Sequence, residues 1–442
     1  MGKSIITPRV LKGFRDYLPE INLPRQNMIR HLEDVFQSFG FSPIDTPAME
    51  YAEILLGKGS EESDKQLYRF KDNGDRDVAL RFDLTVPLAR FVAMHIHELG
   101  TPFKRYHIGP VWRAEKPQRG RYREFIQCDF DIIGSKEVLA DAEIVSIINS
   151  ALNKLSINHL IRLNDRSILN GLLEQLKIAD KSVIVLRAID KLEKLGVEVA
   201  KKEMKEDAGM SEEQCSEVLG FLEISKDSKS AEDTLKSLKE VFDDSSPAFQ
   251  GIIRLENILE TLDAYKIDQS SLSIDLSIAR GLDYYTSTVF ETVCTDLPTI
   301  GSICSGGRYD DLAGLYTKKE LPGVGASIGL DRLLAALEEL GKLDTKSTPA
   351  KVLVTTSQGH EASSIIAAKS LREIGINTEV FSENKKLGAQ FKYADKRKIR
   401  FAVIVNFDST EPSFNLKDLD SGDQLENLST EELTKACLEK IN

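Results

Sequence analysis

The clearest indication of this chain's architecture is the stretch VWRAEKPQRGRYREFIQCDFDIIG, residues 111–134. It predicts a strand, a basic loop and a second strand, because its last part alternates with the period of two that separates the faces of a β-strand. The apolar face of the second strand holds Ile126, Cys128, Phe130 and Ile132. The opposite face holds a cation, an aromatic ring, an amide and two carboxylates, which are Arg123, Phe125, Gln127, Asp129 and Asp131. This arrangement favours a sheet floor that binds a polar small molecule beneath arginines that reach a phosphate.

Length, hydropathy and cysteine usage limit the class of protein. The 442 residues exceed one ordinary core, so roughly two to four domains are expected. No apolar run approaches the roughly 20 residues of a membrane span, and the first residues lack an apolar segment followed by a cleavage site. The five cysteines are scattered without CxxC spacing, which predicts reduced thiols and neither a disulfide framework nor a zinc site. We therefore expect a cytoplasmic protein that does not associate with membranes.

Two basic islands interrupt an acidic chain with a formal net charge of −12. The first covers residues 104–123 and the second residues 385–400, and each has seven basic residues against a single acidic one. Two such islands suit a polyanion that is bound at two separate places. A pair of merely solvated surfaces is the alternative.

Four segments are predicted along the chain. They are a sheet domain in two parts, residues 1–171 and 261–342, a helical insertion at 172–260, and a C-terminal domain at 350–442. The insertion is indicated by a stretch rich in Lys, Glu, Asp and Ser and poor in aromatics. Strands are expected at 272–278 and 284–293, a glycine-rich turn at 303–309, and a strand leading into a helix at 325–340. The C-terminal domain has the order of a small parallel α/β fold, with strands at 351–355, 377–381 and 401–406 and helices at 362–374 and 387–396.

Three places carry candidate chemistry. Because no P-loop is present, phosphate binding falls to Arg113 and the loop arginines. The alternative is that the Arg113-x-Glu115 pattern only forms a structural pair with a neighbouring strand. A strand at residues 78–85 would place Arg81, Asp83 and Thr85 on one face, where the carboxylate and the hydroxyl could bind an ammonium group; Thr85 could also cap the next helix. Residues 279–285 end a strand with a cation, a glycine and two phenols, which also fits a structural tyrosine pair.

Four blocks of the sequence resemble the motifs of the class II aminoacyl-tRNA synthetases, and the last is characteristic of the histidyl-tRNA synthetase family. They are residues 39–47, residues 111–134, residues 323–333, and residues 280–285 combined with 305–310. The resemblance implies an α+β fold: a class II antiparallel-sheet catalytic domain with a helical insertion, and a C-terminal α/β anticodon-binding domain. It also implies a homodimer, and it makes the second basic island an RNA surface. The implied partners are L-histidine, ATP with Mg²⁺, and tRNA-His, with no metal site on the protein.

The resemblance assigns the ATP end of the site. Arg113 and Arg280 are the implied catalytic cations, and Arg113 would hold the α-phosphate and the substrate carboxylate. Phe125 and Arg332 would sandwich the adenine, because an aromatic face and a guanidinium plane both stack well. The remaining implied ATP contacts, which include the outer phosphates, are Glu115, Arg121 and Arg123.

The resemblance also assigns the residues that contact histidine and those that contact the tRNA. Asp83, Thr85 and Gln127 would bind the α-ammonium group of histidine, and Arg113 its carboxylate. Arg280, on the opposite side, is a further implied histidine contact. Asp131 and Tyr285, with Tyr284 adjacent, would provide the acceptor and the donor that an imidazole needs. Some relatives have Glu at the positions of Asp83 and Asp131, which leaves the contact lengths open. Lys116, Gln118 and Arg119 would meet the tRNA acceptor end, with Gln118 reading its extra 5′ nucleotide.

Two other classes of protein are considered. A non-catalytic paralogue, such as the regulatory subunit of ATP phosphoribosyltransferase, would bind histidine as a signal; loss of the Arg280 block and of the C-terminal domain would favour it, and both are intact. A pure RNA-binding protein would use the two basic islands, but it leaves the polar face of residues 123–131 unexplained.

Overall fold

The computed structural model describes residues 6–56, 66–118, 120–278, 284–406 and 412–441. These residues fall into two compact units. The larger unit comprises Met1–Arg15 and Met28–Lys342, and the smaller unit comprises Asp16–Asn27 and Leu343–Asn442. Within the described ranges, no helix combines the length and apolar character that a bilayer span requires.

The chain up to residue 342 alternates strands and helices before a long helical run. Its strands are β1 (Ser42–Pro43), β2 (Met49–Tyr51), β3 (Arg69–Lys71), β4 (Asp77–Leu80), β5 (Phe103–Trp112), β6 (Glu124–Ile133), β7 (His159–Asp165), β8 (Leu272–Ile274), β9 (Thr288–Cys294), β10 (Ser302–Arg308) and β11 (Gly323–Gly329). Its helices are α1 (Pro19–Ser38), α2 (Ala52–Leu55), α3 (Thr85–His95), α4 (Val138–Lys154), α5 (Arg166–Gln175), α6 (Ser182–Leu195), α7 (Val197–Glu206), α8 (Glu212–Asp227), α9 (Ala231–Lys239), α10 (Pro247–Ala264) and α11 (Leu330–Glu339).

An eight-stranded sheet forms the centre of the larger unit. Its strand order is β1-β5-β6-β11-β10-β9-β7-β8. Pairing from β5 through β7 is antiparallel, and only the outer pairs β1–β5 and β7–β8 are parallel. A second, antiparallel sheet has the order β2-β4-β3. The predicted antiparallel-sheet domain is therefore confirmed.

The hairpin of β5 and β6 supplies the second and third strands of the large sheet. Its register runs from Phe103 opposite Ile133 to Trp112 opposite Glu124. On the apolar face of β6, Phe130 is fully buried and its ring stacks on Phe36 of α1 with centroids 4.8 Å apart. The opposite face is covered as well, since Gln127, Asp129 and Asp131 are buried. The alternation predicted for this strand is confirmed, and its polar face points into the protein rather than to solvent.

The predicted strand over residues 78–85 is wrong in its second half. Strand β4 ends at Leu80, and helix α3 begins at Thr85. The side chain of Asp83, not that of Thr85, accepts a hydrogen bond from the first helical turn, at 3.2 Å from the Val86 nitrogen. Arg81 does not share a face with these residues, because its guanidinium donates to the Pro110 carbonyl at 2.9 Å. Pairing of β4 with its neighbours, rather than the local pattern, sets where the strand stops.

The glycine-rich turn predicted at residues 303–309 is also wrong, because strand β10 occupies Ser302–Arg308. Two of its glycines pair closely with neighbouring strands, with Gly306 opposite Ala326 and Gly307 opposite Gly325. A Cβ on Gly306 would overlap with the backbone of β11. These glycines therefore mark a close approach of backbones inside a sheet rather than a turn.

Helices α5 to α10 lie in the chain between β7 and β8, where the sequence predicts an insertion. Their ends carry local capping signals: Ser211 and Gln214 form a capping box at the start of α8, and Ser246 caps α10 ahead of Pro247. The large sheet continues on both sides of this run. The exact division of the chain at residues 171, 260 and 342 stays a prediction.

The smaller unit contains a five-stranded mixed sheet. Its elements are β12 (Val352–Val354), α12 (Glu361–Glu373), β13 (Thr378–Val380), α13 (Leu387–Lys396), β14 (Phe401–Asn406), β15 (Ser413–Asp418), β16 (Gln424–Leu428) and α14 (Thr430–Ile441). Strands β13, β12 and β14 are parallel neighbours, as predicted, and β15 and β16 add an antiparallel edge that the sequence pattern does not indicate. Its core includes Val354, Leu371, Val403, Phe414 and Leu433.

Candidate active site

A cavity of about 440 Å³ lies over the polar face of β6 and over β11 and β10, the next two strands of the sheet. Its wall draws on stretches that are far apart in the sequence, which the sheet brings together. The predicted site residues that line it are Asp83, Thr85, Arg113, Glu115, Arg121, Phe125, Gln127, Asp131, Tyr284, Tyr285 and Arg332.

Five predicted residues do not belong to the described wall. Lys116 and Gln118 are exposed on the loop between β5 and β6, beyond the cavity. Arg123 donates to the carbonyls of Glu115 at 3.1 Å and Lys12 at 3.3 Å, so its guanidinium is held by backbone outside the wall. The two others, Arg119 and Arg280, lie outside the described residues.

One end of the cavity presents an arginine against an aromatic ring. The guanidinium carbon of Arg113 lies 5.1 Å from the centre of the Phe125 ring, and its Nε donates to the Phe82 carbonyl at 2.9 Å. Arg332, at the start of α11, donates to the Ser302 carbonyl. Its neighbour Asp331 accepts from the Ile126 N–H at 2.8 Å, which ties α11 to β6. This end can take a flat ring together with a phosphate.

The loop between β5 and β6 closes as a tight hairpin. Gln118 and Arg121 exchange two backbone hydrogen bonds, of 3.0 and 2.9 Å. Gly120 has a φ of +68°, which a residue with a Cβ adopts rarely. The loop therefore presents Arg121 to the cavity and Gln118 to solvent.

A segment near the N-terminus covers the outside of this loop. Arg15 donates to the Tyr122 hydroxyl at 2.9 Å, and its guanidinium lies 4.3 Å from the centre of that ring. The same side chain lies 3.4 Å from an Asp331 carboxylate oxygen. The Gly13 carbonyl accepts from the Arg123 N–H at 2.8 Å. Sequence reasoning missed this contact, because nothing in the local pattern of residues 12–15 indicates it.

Three carboxylates with one guanidinium beside them form the floor of the cavity: Asp83, Asp129, Asp131 and Arg105. Burial raises the pKa of Asp83 to about 6, against the opposing effect of the Val86 N–H and of Arg113. Its second oxygen lies 3.4 Å from the Tyr284 hydroxyl, which can donate to it. Both oxygens of this carboxylate therefore have partners within the protein.

Asp131 is part of a buried ion pair. Its Oδ2 lies 2.7 Å from a terminal nitrogen of Arg105, whose side chain is fully buried, and its Oδ1 accepts from the Tyr309 hydroxyl. The contact of Oδ2 is an ion pair without the alignment of a hydrogen bond. Burial raises the pKa of Asp131, and the Arg105 charge and the Tyr309 hydrogen bond oppose this rise. Space for the carboxylate comes from Gly325 directly opposite, where a Cβ would overlap with it.

Asp129 has fewer partners than its two neighbours. Burial, reinforced by the Asp131 charge, raises its pKa to about 7 against the effect of Arg105 and of a hydrogen bond from Ser327. Its Oδ1 is buried and has no hydrogen-bond partner among the described residues. This atom belongs to a residue of the cavity wall and lacks the partner that buried carboxylates normally have.

Aromatic rings close the side of the floor. Tyr284 meets Tyr285 and Tyr309 edge to face, with ring centroids 5.1 and 5.8 Å apart. Burial raises the pKa of Tyr285, and the charges of Asp131 and Asp129 raise it further, so its hydroxyl stays a neutral donor. Arg166, at the start of α5, donates to the Tyr285 carbonyl. The floor and this side together can bind a small ligand that carries several N–H groups.

Sequence reasoning missed Arg105 and Tyr309 as members of the site. Tyr309 belongs to the block of residues 305–310, and its hydroxyl reaches Asp131. Arg105 belongs to the first basic island, which the sequence predicts to be an anion-binding surface, but it is fully buried. No periodic signal identifies its partner, since that depends on the register of β5 against β6, which places Arg105 opposite Asp131.

A metal centre has no support in the described part of the chain. There, no group of three or more His, Cys, Asp or Glu side chains could hold a metal ion. The carboxylates of the floor are instead arranged around the guanidinium of Arg105 and the hydroxyls of Tyr284 and Tyr309. The floor therefore suits an organic ligand with N–H groups.

Comparison with known proteins agrees with the geometry. A family model described as histidyl-tRNA synthetase matches residues 13–333, and one described as an anticodon binding domain matches residues 351–440. A curated histidine–tRNA ligase from Rhodopirellula baltica is 55% identical over 402 residues, 90% of each chain. One from Wolinella succinogenes is 45% identical over 439 residues, 99% of each chain.

A solved structure shows the same architecture. The crystal structure of histidyl-tRNA synthetase from Nostoc sp. PCC 7120 superposes with a TM-score of 0.86 at 35% identity. The match covers 98% of this chain and 100% of that chain. Both units thus have counterparts in one known protein.

Proposed function

Since the chain belongs to the histidyl-tRNA synthetase family, we propose that the cavity over β6, β10 and β11 is where L-histidine reacts with ATP. The activity is that of a histidine–tRNA ligase: histidine and ATP give histidyl-adenylate and pyrophosphate, and histidine then passes to the 3′ end of tRNA-His. One observation carries the assignment of the site. A single cavity collects described residues from three of the blocks that resemble the family's motifs, together with Asp83 and Thr85.

Arg113 is the proposed cation for the activation step. The histidine carboxylate attacks the α-phosphate in line, so the protein mainly positions the reactants and stabilises developing negative charge. Its Nε is fixed on the Phe82 carbonyl, which leaves the terminal nitrogens of the guanidinium for anionic oxygens. Such fixed cations in a partly desolvated site stabilise a transition state more than a mobile lysine would.

The nucleotide would lie across the Arg113 end of the cavity. Phe125 and Arg332 offer an aromatic face and a guanidinium for the adenine, and Glu115 and Arg121 line the same wall. Arg121 and Glu115 are 3.9 Å apart, so Arg121 can turn from this weak pair towards the outer phosphates. The contacts of Arg123 favour a role in fixing the loop rather than a direct phosphate contact. Mg²⁺ would enter bound to ATP.

The histidine would lie over the carboxylate floor. Asp83, Thr85 and Gln127 are the proposed partners of the α-ammonium group, and the buried oxygen of Gln127 that lacks a partner among the described residues fits an N–H donor. Tyr285 is the proposed donor to the bare imidazole nitrogen, and Asp131 belongs to the acceptor side of the ring. A site with such buried polar groups rejects isosteres that cannot pair with them.

Arg280 stays a proposed catalytic residue. Its neighbours on both sides of the undescribed residues, Ile278 and Tyr284, line the cavity. Arg280→Ala should lower the rate of adenylate formation far more than the affinity for histidine, since a transition-state contact affects kcat. Equal losses of rate and of affinity would contradict this role.

The tRNA would meet the protein at two places. Lys116, Gln118 and Arg119 at the tip of the β5–β6 loop are proposed for the acceptor end, and the exposure of Lys116 and Gln118 supports this. The second basic island, on α13 and after it, is proposed for the anticodon end, in line with the anticodon-binding family match.

A homodimer and a cytoplasmic location complete the proposal. Three large side chains on the β2-β4-β3 sheet, Met49, Tyr51 and Phe70, are between 43% and 52% exposed, which supports an interface there. Light scattering coupled to gel filtration tests the dimer. A mass of one chain, 49.3 kDa, would contradict it.

Histidine-dependent exchange between ATP and pyrophosphate, measured without tRNA, tests the assignment of the cavity. We expect exchange in the wild type and a loss of about 100-fold or more in Arg113→Ala, which removes a fixed cation from the developing charge. Arg400→Gln is a matched control, because it removes an exposed guanidinium of the smaller unit. Equal activities of Arg113→Ala and Arg400→Gln would contradict the assignment.

A further inference from the structure

The carboxylate proposed as the imidazole acceptor, Asp131, already has two partners inside the protein. Arg105 lies 2.7 Å from one of its oxygens, and the Tyr309 hydroxyl donates to the other. Moving Asp131 away from Arg105 would leave a buried guanidinium with an uncompensated charge, which is costly. Asp131 is therefore a structural member of the floor before any ligand arrives.

The carboxylate of Asp83 also has partners within the protein at both oxygens. The Val86 N–H bonds one oxygen at 3.2 Å, and the Tyr284 hydroxyl lies 3.4 Å from the other. The first of these bonds also belongs to the start of α3, so it does not open without unwinding that turn. Each oxygen of Asp83 and of Asp131 thus has a charged or hydrogen-bonding group of the protein beside it.

Asp129 is the exception among the three. It is 2% exposed and lines the cavity. Its Oδ1, like the Oδ2 of Asp131, has no hydrogen-bond partner among the described residues, but Asp131 lies 2.7 Å from Arg105, whereas Asp129 forms no ion pair with a described residue. The strand period places it between Gln127 and Asp131 on the face that forms the floor. A buried acceptor without a partner is expected to receive one from a ligand or an ordered molecule.

The side chains around Asp129 do not supply the missing partner for its Oδ1. Arg105 on β5 faces it but contacts Asp131, and the charges of Asp131 and Asp83 repel it. Ser327 on β11 donates one hydrogen bond to the carboxylate. From β10 and the loop before β9, Cys304 and Tyr285 are neutral neighbours whose own pKa values its charge raises. A further cation of this region, Arg81, is bonded to the Pro110 carbonyl.

We propose that Asp129 is a specificity-determining residue that accepts the imidazole N–H of histidine, while Asp131 fixes Arg105 and Tyr309 behind it. This inference rests on the proposed function of the cavity. Histidine differs from other amino acids by a ring with an N–H and a basic nitrogen. Asp129 as acceptor and Tyr285 as donor would recognise both atoms. Amino acids without the N–H would leave the Asp129 oxygen buried and unpaired, which disfavours their binding.

Binding calorimetry on the full chain tests the contact independently of the reaction. Asp129→Asn keeps the shape of the side chain and removes its charge, and we expect the affinity for histidine to fall about 10- to 100-fold. Affinity for ATP should stay within about twofold, which also shows that the variant is folded. Asp296→Asn is the control, since it removes a carboxylate from the surface of the same unit.

A second ligand separates the ring from the ammonium group. Imidazole propionate carries the ring and the carboxylate of histidine but has no α-ammonium. Asp129→Asn should weaken its binding by the same factor as that of histidine. Asp129→Glu, which keeps the charge, should lose less than Asp129→Asn and serves as the second variant if the amide does not fold.

Different results would contradict the role of Asp129 and the proposed function of the cavity. Wild-type affinities for histidine and imidazole propionate in Asp129→Asn would overturn the role of Asp129 and leave the proposed function standing. A loss for histidine with none for imidazole propionate would also overturn it, because the contact would then be to the ammonium group. Absence of histidine-dependent exchange in the wild type would overturn the proposed function, and calorimetry would still decide whether Asp129 contacts the ring.

Discussion

The charged residues of the cavity floor and those of the smaller unit are arranged in opposite ways. In the floor, Arg105 is fully buried, and the pKa values of Asp83, Asp129 and Asp131 are all raised by burial. In the smaller unit, Arg400 is 57% exposed and lies 2.7 Å from Asp418, whose pKa it lowers to about 2. The buried charges of the floor lower the stability of the fold and provide groups for a ligand. The exposed pair of the smaller unit costs little and contributes modestly to the fold.

The largest expected difference in activity is between substitutions at two glycines, one in each unit. Gly325→Val should abolish histidine-dependent exchange, because a Cβ there would overlap with Asp131 and lie 2.8 Å from the Phe130 carbonyl. Gly388→Ala, within α13, should leave exchange unchanged, since a Cβ there meets nothing within 4 Å, and the helix should gain about 0.5–1 kcal/mol. Initial rates and thermal unfolding curves check both. Comparable activities of the two variants would remove the contrast.

The two arginine–aspartate pairs give the next largest contrast, in stability. Arg105→Met should lower the free energy of unfolding of the larger unit by about 3–5 kcal/mol, because it leaves Asp131 buried without its cation. Arg400→Met should change the melting temperature of the smaller unit only slightly, because its pair is exposed to water. Differential scanning calorimetry measures both. A larger loss from Arg400→Met than from Arg105→Met would reverse the comparison.

The opposite pKa shifts predict different pH dependence. With a pKa of about 7 against an ordinary value of 3.8, folded Asp129 holds its proton where the unfolded chain has lost it. Stability without ligand therefore falls as the pH rises from about 4 to 7, by at most ~1.4 kcal/mol per pH unit from this residue. The lowered pKa of Asp418 acts in the other direction and below that window. Its stabilisation is complete above about pH 4 and is lost as the pH falls towards 2.

Melting temperatures measured between pH 5 and 8 check this dependence. Asp129→Asn should flatten the fall with pH, and Asp418→Asn should leave its slope unchanged. If the melting temperatures of the wild type and of Asp129→Asn changed equally with pH, Asp129 would not titrate in this range.

The smallest expected effect concerns the basic surface of the smaller unit. Lys392 and Lys396 are exposed one helical turn apart on α13, with no acidic partner among the described residues. Replacing both by Ala should raise the KM for tRNA about 3- to 10-fold and reduce its salt dependence. Exchange without tRNA should not change. The same loss in Lys435→Ala/Lys440→Ala, on α14, would mean that net charge rather than this surface is responsible.

The sequence predicts the smaller unit more closely than the larger one. Helix α13 and strand β14 have the predicted bounds, because each lies in a local pattern of the right period between polar turns. Glycine is rare in strands, so the glycines of β10 favour the prediction of a turn. Their occurrence within a strand is explained by the close approach of β11. Strand β16 escapes prediction as well, because most of its residues are exposed and carry no apolar alternation.

The sequence indicates many of the side chains that line the cavity, but not how they contact one another. The alternation along β6 is sufficient to predict that Gln127, Asp129 and Asp131 share one face. The pairing of Arg105 with Asp131 cannot be inferred in this way, because it depends on strand register and on the burial of a residue from a basic stretch. Arg105 forms its ion pair with Asp131 and not with Asp129, and the Oδ1 of Asp129 has no hydrogen-bond partner among the described residues.

The contact of residues 12–15 with the β5–β6 loop has a practical consequence for handling the protein. The Gly13 carbonyl and Arg15 together fix Arg123 and Tyr122 from outside the cavity. Proteolytic trimming or a bulky affinity tag close to this segment would therefore loosen the loop while every catalytic side chain remained intact. A preparation that binds histidine but reacts slowly should first be checked by mass spectrometry for an intact N-terminal segment.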